Sequence, residues 1–403
     1  MDDKPKLRPV EVFPVREGRR TMVCIRDATG LSDRVVTASA EIVGVLQLLD
    51  GTHTVLDIQA SLTRRQGVLV MSDDVRKMLE VLDEAFLLEG ERFAEYHRRL
   101  HEEFASAPVR RAASAGTGYP GDADELVGFL DGILAEAEST PVKKLRGLIA
   151  PHIDHHRGRK TYAEAFAALA AAAPADLYVL LGTSHAETVE RFALTRKDFE
   201  TPLGLARTDV ETVDELLKRS GRDLTRDEFV HRGEHSIELE LVFVQHLCRR
   251  AKHAFTLLPV LCGSFQEAMV AQKTPAELPG VTEVVKALRE IVRQKDRRVT
   301  VVAGADLAHV GPRFGGSERV TRGTLRDLDE VDRQTLAFVE RGDADGFYEF
   351  VSRDENARNI CSVAPVWLAL KVLQPCRGTL LRYGQWSDDD GLSCVTFAAC
   401  VLS

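Results

Sequence analysis

Two short apolar runs that each stop at a histidine constrain this chain more than any other feature. Residues 148–150 lead into Pro151-His152-Ile153-Asp154-His155-His156, and residues 177–181 lead into Gly182-Thr183-Ser184-His185. Short uninterrupted apolar runs read as buried strands of a parallel sheet. Both histidines then fall at carboxyl ends of strands, where open α/β sheets form the crevice that binds ligands.

The rest of the carboxyl-terminal region keeps this alternation. Further strands are expected at 255–261, 299–303, 379–383 and 395–402, with helices at 161–172, 210–219 and 236–249 between them. An amphipathic helix carrying Leu126, Phe129, Leu130, Ile133 and Leu134 precedes the first strand. The fold class is therefore α/β, a sheet layered with helices.

A chain of 403 residues exceeds one typical domain. Residues 19–93 form a separate pattern: stretches at 21–25 and 35–37, then three short helices. The first is expected from an N-cap at Ser39 through Leu49 to Asp50-Gly51. The second opens on a capping-box spacing, Thr54 to Asp57, and the third at Ser72 with Asp73 and Asp74 in its first turn. A hairpin-like segment at 87–93 completes a small winged-helix unit. The expected organisation is 1–95, a helical linker at 96–115, and 116–403.

Charge and composition exclude several classes. There are 53 Lys and Arg against 62 Asp and Glu, a formal charge of −9, which disfavours nucleic acid as the main ligand. No stretch approaches the roughly 18 apolar residues of a membrane span, and no apolar run follows the charged amino terminus, so a cytoplasmic location is expected. Seven cysteines, odd in number and without a CxxC pair, argue against a disulfide framework and a zinc ribbon.

Cys361 stands in Asn359-Ile360-Cys361-Ser362-Val363-Ala364-Pro365, just before a helix whose positive end favours a thiolate. Taken alone it reads by default as a buried inert thiol, as His152 and His185 alone read as hydrogen-bonded structural residues. Asp306 and His309, three apart after the 299–303 strand, would share one face of a helical turn and could form a carboxylate–imidazole pair, but spacing alone favours a turn cap and a satisfied histidine. In Gly233-Glu234-His235-Ser236-Ile237-Glu238, Ser236 suits a cap while Glu234 and His235 could reach the crevice as proton donors or substrate contacts.

The amino-terminal pattern, Ser39-Ala40-Glu41-Ile42 through Leu48-Leu49-Asp50-Gly51-Thr52-His53-Thr54-Val55 with Asp73-Asp74-Val75 and Leu87-Leu88, resembles the PqqD-like peptide-recognition domains. That resemblance implies a unit gripping a precursor or leader peptide for a partner enzyme. The alternatives are a winged helix that only packs on the second domain, or one that binds DNA, which its acidic third helix disfavours.

From about residue 116 onward an ordered series resembles the Memo family, the B component of the bacterial AmmeMemoRadiSam system. The series is Gly118-Tyr119-Pro120, Ile149-Ala150-Pro151-His152, Leu181-Gly182-Thr183-Ser184-His185, Thr201-Pro202-Leu203-Gly204, Glu234-His235-Ser236-Ile237-Glu238, Leu258-Pro259-Val260, Asp306 with His309, and Ile360-Cys361. The resemblance implies a fold similar to class III extradiol dioxygenases and a metal on His152, His185 and Cys361, surrounded by Asp306, His309, Glu234 and His235. Extradiol enzymes use two histidines and a carboxylate. A thiolate in the third position makes a softer set, compatible with iron, copper or zinc, so iron-dependent ring cleavage does not follow from the fold. Asp154, His155 and His156 are expected to add polar contacts.

Two functions follow as expectations. One is a metal-dependent redox enzyme with His309 or His235 as acid–base group, oriented by Asp306 or Glu234. The other is a non-catalytic adaptor that captures a peptide through its amino-terminal unit and presents it to a radical-SAM enzyme. The same resemblance implies the A component of the system as a further partner.

Overall fold

The computed structural model describes residues 3–17, 20–138 and 144–403. Two compact units emerge, Met1–Ser106 and Ala107–Ser403. Residues 107–115, read from sequence as the end of a linker, belong to the second unit.

In the first unit, strands Val10–Glu17, Arg20–Asp27 and Val35–Ser39 form an antiparallel sheet in that order. Helices Val55–Gln66 and Ser72–Glu84 supply a core of Ile58, Val75, Leu79 and Leu82, packed with Ile25. The Thr54 hydroxyl accepts from Asp57 N at 3.2 Å and the Asp57 carboxylate accepts from Thr54 N at 2.8 Å, the reciprocal cap its sequence predicts. Two expectations are corrected. The helix expected from Ser39 to Leu49 is a 3-10 turn, Ala40–Ile42, followed by one short turn, Val43–Leu46. The hairpin-like segment at 87–93 is strand Leu88–Glu89, paired with Lys6–Leu7, and then helix Glu91–Ser106.

The second unit is built on one large mixed sheet. Its strands are β1 (Gly147–Ala150), β2 (Leu177–Thr183), β3 (Phe192–Leu194), β4 (Thr256–Cys262), β5 (Val299–Gly304), β6 (Asp306–Val310), β7 (Gly378–Ser387) and β8 (Cys394–Leu402). The order is β6-β8-β1-β5-β2-β4-β3, with β7 paired to β8. The four central strands β1, β5, β2 and β4 run parallel, while β3, β6, β7 and β8 are antiparallel to their neighbours.

Period-two alternation explains why the central runs are wholly apolar. Leu177, Val179 and Leu181 pack on one side of the sheet with helices Val281–Val292 and Val363–Leu373. Tyr178 and Leu180 pack on the other with helices Arg159–Ala171 and Glu238–Ala251. With helices on both faces, neither set of side chains meets water. Gly304 pairs with Ala150 and Ala303 with Leu181, so the carboxyl ends of β1, β5 and β2 finish side by side.

Candidate metal centre

Each strand end delivers one polar group to that edge. Beyond β1 comes His152, beyond β2 His185, and after β5 the chain passes Ala305 into β6, which begins at Asp306. Cys361 arrives from the other side of the sequence, just before Ser362, the N-cap of Val363–Leu373. Its sulfur lies 3.3 Å from Nε2 of His152 although 209 residues separate them. One donor atom from each of His152, His185 and Cys361 falls within 4.8 Å of the others.

What surrounds the cluster fixes which atoms are available. Nδ1 of His152 faces the Gly304 carbonyl at 3.0 Å, and Nδ1 of His185 faces Glu234 at 3.0 and 3.1 Å. With both Nδ1 atoms engaged, the Nε2 atoms are left to bind, the arrangement that outer acceptors impose on ligating imidazoles. Glu234 is itself held. Its carboxylate accepts from His185 N at 3.0 Å, His235 N at 2.8 Å and Ser236 N at 3.0 Å. The His235 ring stacks on His185, with centroids 5.0 Å apart, and its Nδ1 stands 3.2 Å from Glu234.

The electrostatics follow this layout. Burial pulls the His185 imidazole down, but hydrogen bonds to Cys361 and Glu234 prevail and hold its pKa well above the ordinary value. Burial, with His185 and His235 nearby, drives His152 well below it. Burial raises the Cys361 thiol, offset in part by His185. Burial would also raise Glu234, yet His185 and His235 hold it well below the usual carboxylate range. The His152 side chain is 2% exposed, whereas those of His185 and His235 are 41% and 42% exposed, so the cluster is closed at the β1 side and open at the His185–His235 side.

The donor set fits a transition-metal ion: two imidazole nitrogens and a sulfur, close together, with the far ring nitrogens already engaged. His185, Glu234 and His235 form a second convergent triplet that shares His185.

Of the residues singled out from sequence, the structure brings together His152, His185, Cys361, Glu234, His235 and Asp306. Asp306 accepts from His152 N at 3.0 Å, and burial pushes its carboxyl up to about 7, offset in part by the N–H groups of His152 and Ile153. The Asp306–His309 pair does not form, and His309 is satisfied locally, the reading that spacing alone favours. The segment is strand β6 rather than a helical turn, and Nδ1 of His309 faces the Leu307 carbonyl at 3.1 Å while its ring meets Phe314. His155 is also corrected: it turns into the core, with Nε2 on the Leu239 carbonyl at 3.1 Å and its ring against Tyr162.

Gly304 was missed. A Cβ there would lie 2.3 Å from the Ser236 carbonyl oxygen, so only glycine lets the Glu234 loop lie against β5; a glycine closing an apolar strand is the signal that marks such an approach. Glu240 was missed too, a buried carboxyl whose two oxygens lack a partner among the described residues and whose pKa burial and Asp306 drive well above the usual range.

Fold and cluster together define an α/β protein with a candidate metal centre at the carboxyl edge of its sheet. The chain belongs to the Memo family: a family model described as Memo-like protein matches residues 110–401. It is 30% identical over 354 residues to a MEMO1 family protein of Thermus thermophilus, covering 87% of this chain and 99% of that one. It is 25% identical over 402 residues to a MEMO1 family protein of Aquifex aeolicus, covering 99% of this chain and all of that one, so the similarity includes the amino-terminal unit. A Methanosarcina mazei MEMO1 family protein is 28% identical over 286 residues, covering 70% of this chain and 94% of its own.

Proposed function

We propose that this protein is a metal-dependent redox enzyme whose ion is held by His152, His185 and Cys361. The observation that carries this reading is the convergence of three donor atoms within 4.8 Å, with the far side of each imidazole already hydrogen-bonded. Iron or copper suits the two-imidazole, one-thiolate set, and zinc is compatible with it. Such an ion supplies a Lewis-acidic centre able to activate dioxygen or polarise a substrate oxygen. Around it, Glu234 fixes the His185 tautomer, Asp306 fixes the His152 main chain, and His235, half-exposed beside His185, is placed to give or take a proton at the open side. The fold's likeness to extradiol dioxygenases belongs to this reading, with the thiolate setting it apart from their carboxylate site.

Elemental analysis of the wild type and of His152→Ala, His185→Ala and Cys361→Ala tests it. Metal in the wild type and its loss from the variants is the expected result; equal content in all four overturns the assignment.

A second reading, a peptide-presenting adaptor for a radical-SAM enzyme and the A component of an AmmeMemoRadiSam-type system, is favoured by one feature of the first unit. Strand Val35–Ser39 is an edge, and beside it runs a groove of about 250 Å³ walled by Val36, Ala38, Ile42, Val45 and Met78. An open edge over an apolar groove suits an added peptide strand. Titrating the full chain with leader peptides encoded beside a radical-SAM gene, against Met78→Glu, checks this. Binding that the variant abolishes supports it, and no binding by the wild type removes it.

A further inference from the structure

The Gly118-Tyr119-Pro120 motif and Glu238 find no use in the cluster itself, yet both belong to one buried network that ends on it. Its centre is Arg110, at the end of the short strand Val109–Arg110, which pairs in parallel with Asp198–Thr201. Arg110 is 0% exposed, and an arginine so placed must have every donor answered or cost several kcal/mol.

The guanidinium spreads over three partners. Nε donates to the His231 carbonyl at 2.9 Å, Nη2 to the Glu234 carbonyl at 2.5 Å, and Nη1 pairs with the Glu238 carboxylate. Glu238, also fully buried, accepts further from Ala113 N and Ser114 N, each at 2.8 Å, and from the Tyr119 hydroxyl. The segment 110–119 is thus fastened to the loop between His231 and Glu238. That loop carries Glu234 and His235.

The geometry is specific to the site in one respect. Arg110 holds the main-chain oxygen of Glu234, while the carboxylate of the same residue holds both N and Nδ1 of His185. Three planar donors in a fixed fork set the position of a backbone that in turn sets the tautomer and tilt of an imidazole. A lysine, a single point charge, cannot bridge two carbonyls and a carboxylate in that way.

We propose that Arg110, braced by Glu238 and Tyr119, is a positioning residue of the metal centre, holding the Glu234 loop so that His185 presents Nε2 to the ion. This rests on the metal-centre reading above, and its test separates the two. Full-length wild type, Arg110→Lys, Tyr119→Phe and a core control, Val284→Ala in helix Val281–Val292, are titrated with Co(II) alone and followed through thiolate-to-cobalt absorption. The metal-free proteins are compared by the NMR signal of the His185 Nδ1 proton, which a hydrogen bond to carboxylate shifts strongly downfield.

Arg110→Lys is expected to bind Co(II) about 10-fold more weakly, the lower end of what loss of an outer support costs, and to lose the downfield proton. Val284→Ala is expected to lose stability but to keep both readings. Wild-type affinity and a retained downfield proton in Arg110→Lys overturn the proposal; where that variant does not fold, the same two readings retained in Tyr119→Phe overturn it. A wild type that binds no Co(II) sinks the metal reading instead, and the His185 proton still reports whether Arg110 positions the ring.

Discussion

Replacing Glu234 by glutamine is the most informative single perturbation of this site, because it keeps the shape and removes one acceptor. One carboxylate oxygen accepts from His185 N and Nδ1, both at 3.0 Å; the other accepts from His235 N at 2.8 Å and Ser236 N at 3.0 Å. Glutamine offers a single oxygen, so in either orientation its NH₂ faces two groups that now donate. With the amide nitrogen toward the loop, two buried N–H groups lose their acceptor, at about 1–3 kcal/mol each. With it toward His185, the ring must accept at Nδ1 and carry its proton on Nε2, the atom needed for coordination.

The first orientation therefore predicts a loss of about 2–6 kcal/mol in unfolding free energy with the His185 tautomer kept, and the second an inverted tautomer with metal binding weakened by roughly 10- to 100-fold. Urea unfolding of the metal-free protein gives the first quantity, and Co(II) titration against a competing chelator gives the second. Glu234→Asp keeps both acceptor oxygens and is expected to fall between the two. A folded Glu234→Gln protein with both the stability and the Co(II) affinity of the wild type would refute the claim that Glu234 holds the loop and the His185 donor.

Gly304→Ala places a methyl 2.3 Å from the Ser236 carbonyl oxygen and 3.2 Å from Glu240, so a destabilisation of about 1–3 kcal/mol in urea is expected, with weaker Co(II) binding as the Glu234 loop is pushed off β5. In the first unit, Arg8 and Asp27 form a buried pair at 3.2 Å, with side chains 4% and 0% exposed; Asp27→Asn leaves the guanidinium uncompensated and is expected to cost about 3–5 kcal/mol. Burial raises the Asp27 carboxyl, but Thr29, Ser32 and Arg8 prevail and lower it. Its stabilisation is therefore present above the unfolded-chain value of 3.8 and lost as pH falls through the lower folded value, so unfolding curves across that range should flatten in Asp27→Asn. Thr54→Ala removes the cap of helix Val55–Gln66 and should cost about 1 kcal/mol, read as a drop in thermal midpoint of the first unit.

The legible parts of this molecule are those where burial leaves a local imprint. The run at 147–150 is strand Gly147–Ala150 because a central parallel strand tolerates no polar residue on either face. Val10–Glu17 escaped notice for the opposite reason: it is an edge strand, where Pro14 and alternating charges are permitted. Asp306 and His309 carry helix-like spacing, but pairing of Asp306 with Phe397 and His309 with Val395 overrides it, and a bulge between them changes the register. Cys361 shows only a weak local sign, its place before a helix start, since its partner in space is 209 residues away; the order of motifs along the chain supplied the rest. Arg110 looked like part of a charged linker, and nothing near it in sequence announces a buried carboxylate 128 residues on.

The three donors rest on two separate braces. His152 and Cys361 are both referenced to Asp306, whose carboxylate takes the His152 N–H and whose carbonyl takes the Ser362 hydroxyl beside Cys361. His185 is referenced to Glu234, and through it to Arg110. The braces are in contact at several points: Cys361 hydrogen-bonds His185, and the His152 ring lies 5.3 and 5.7 Å, centroid to centroid, from those of His185 and His235. In the metal-free protein, the unfolding costs of Asp306→Asn and Glu234→Gln should then depart from additivity by about 0.5–3 kcal/mol, as for residues in one network. Co(II) affinity should be non-additive as well, because one ion must satisfy donors from both braces: once either is displaced, the second displacement costs less than it does alone. Stabilities that add to within about 0.5 kcal/mol would refute this coupling and mean that the two frames are independent until one ion joins them.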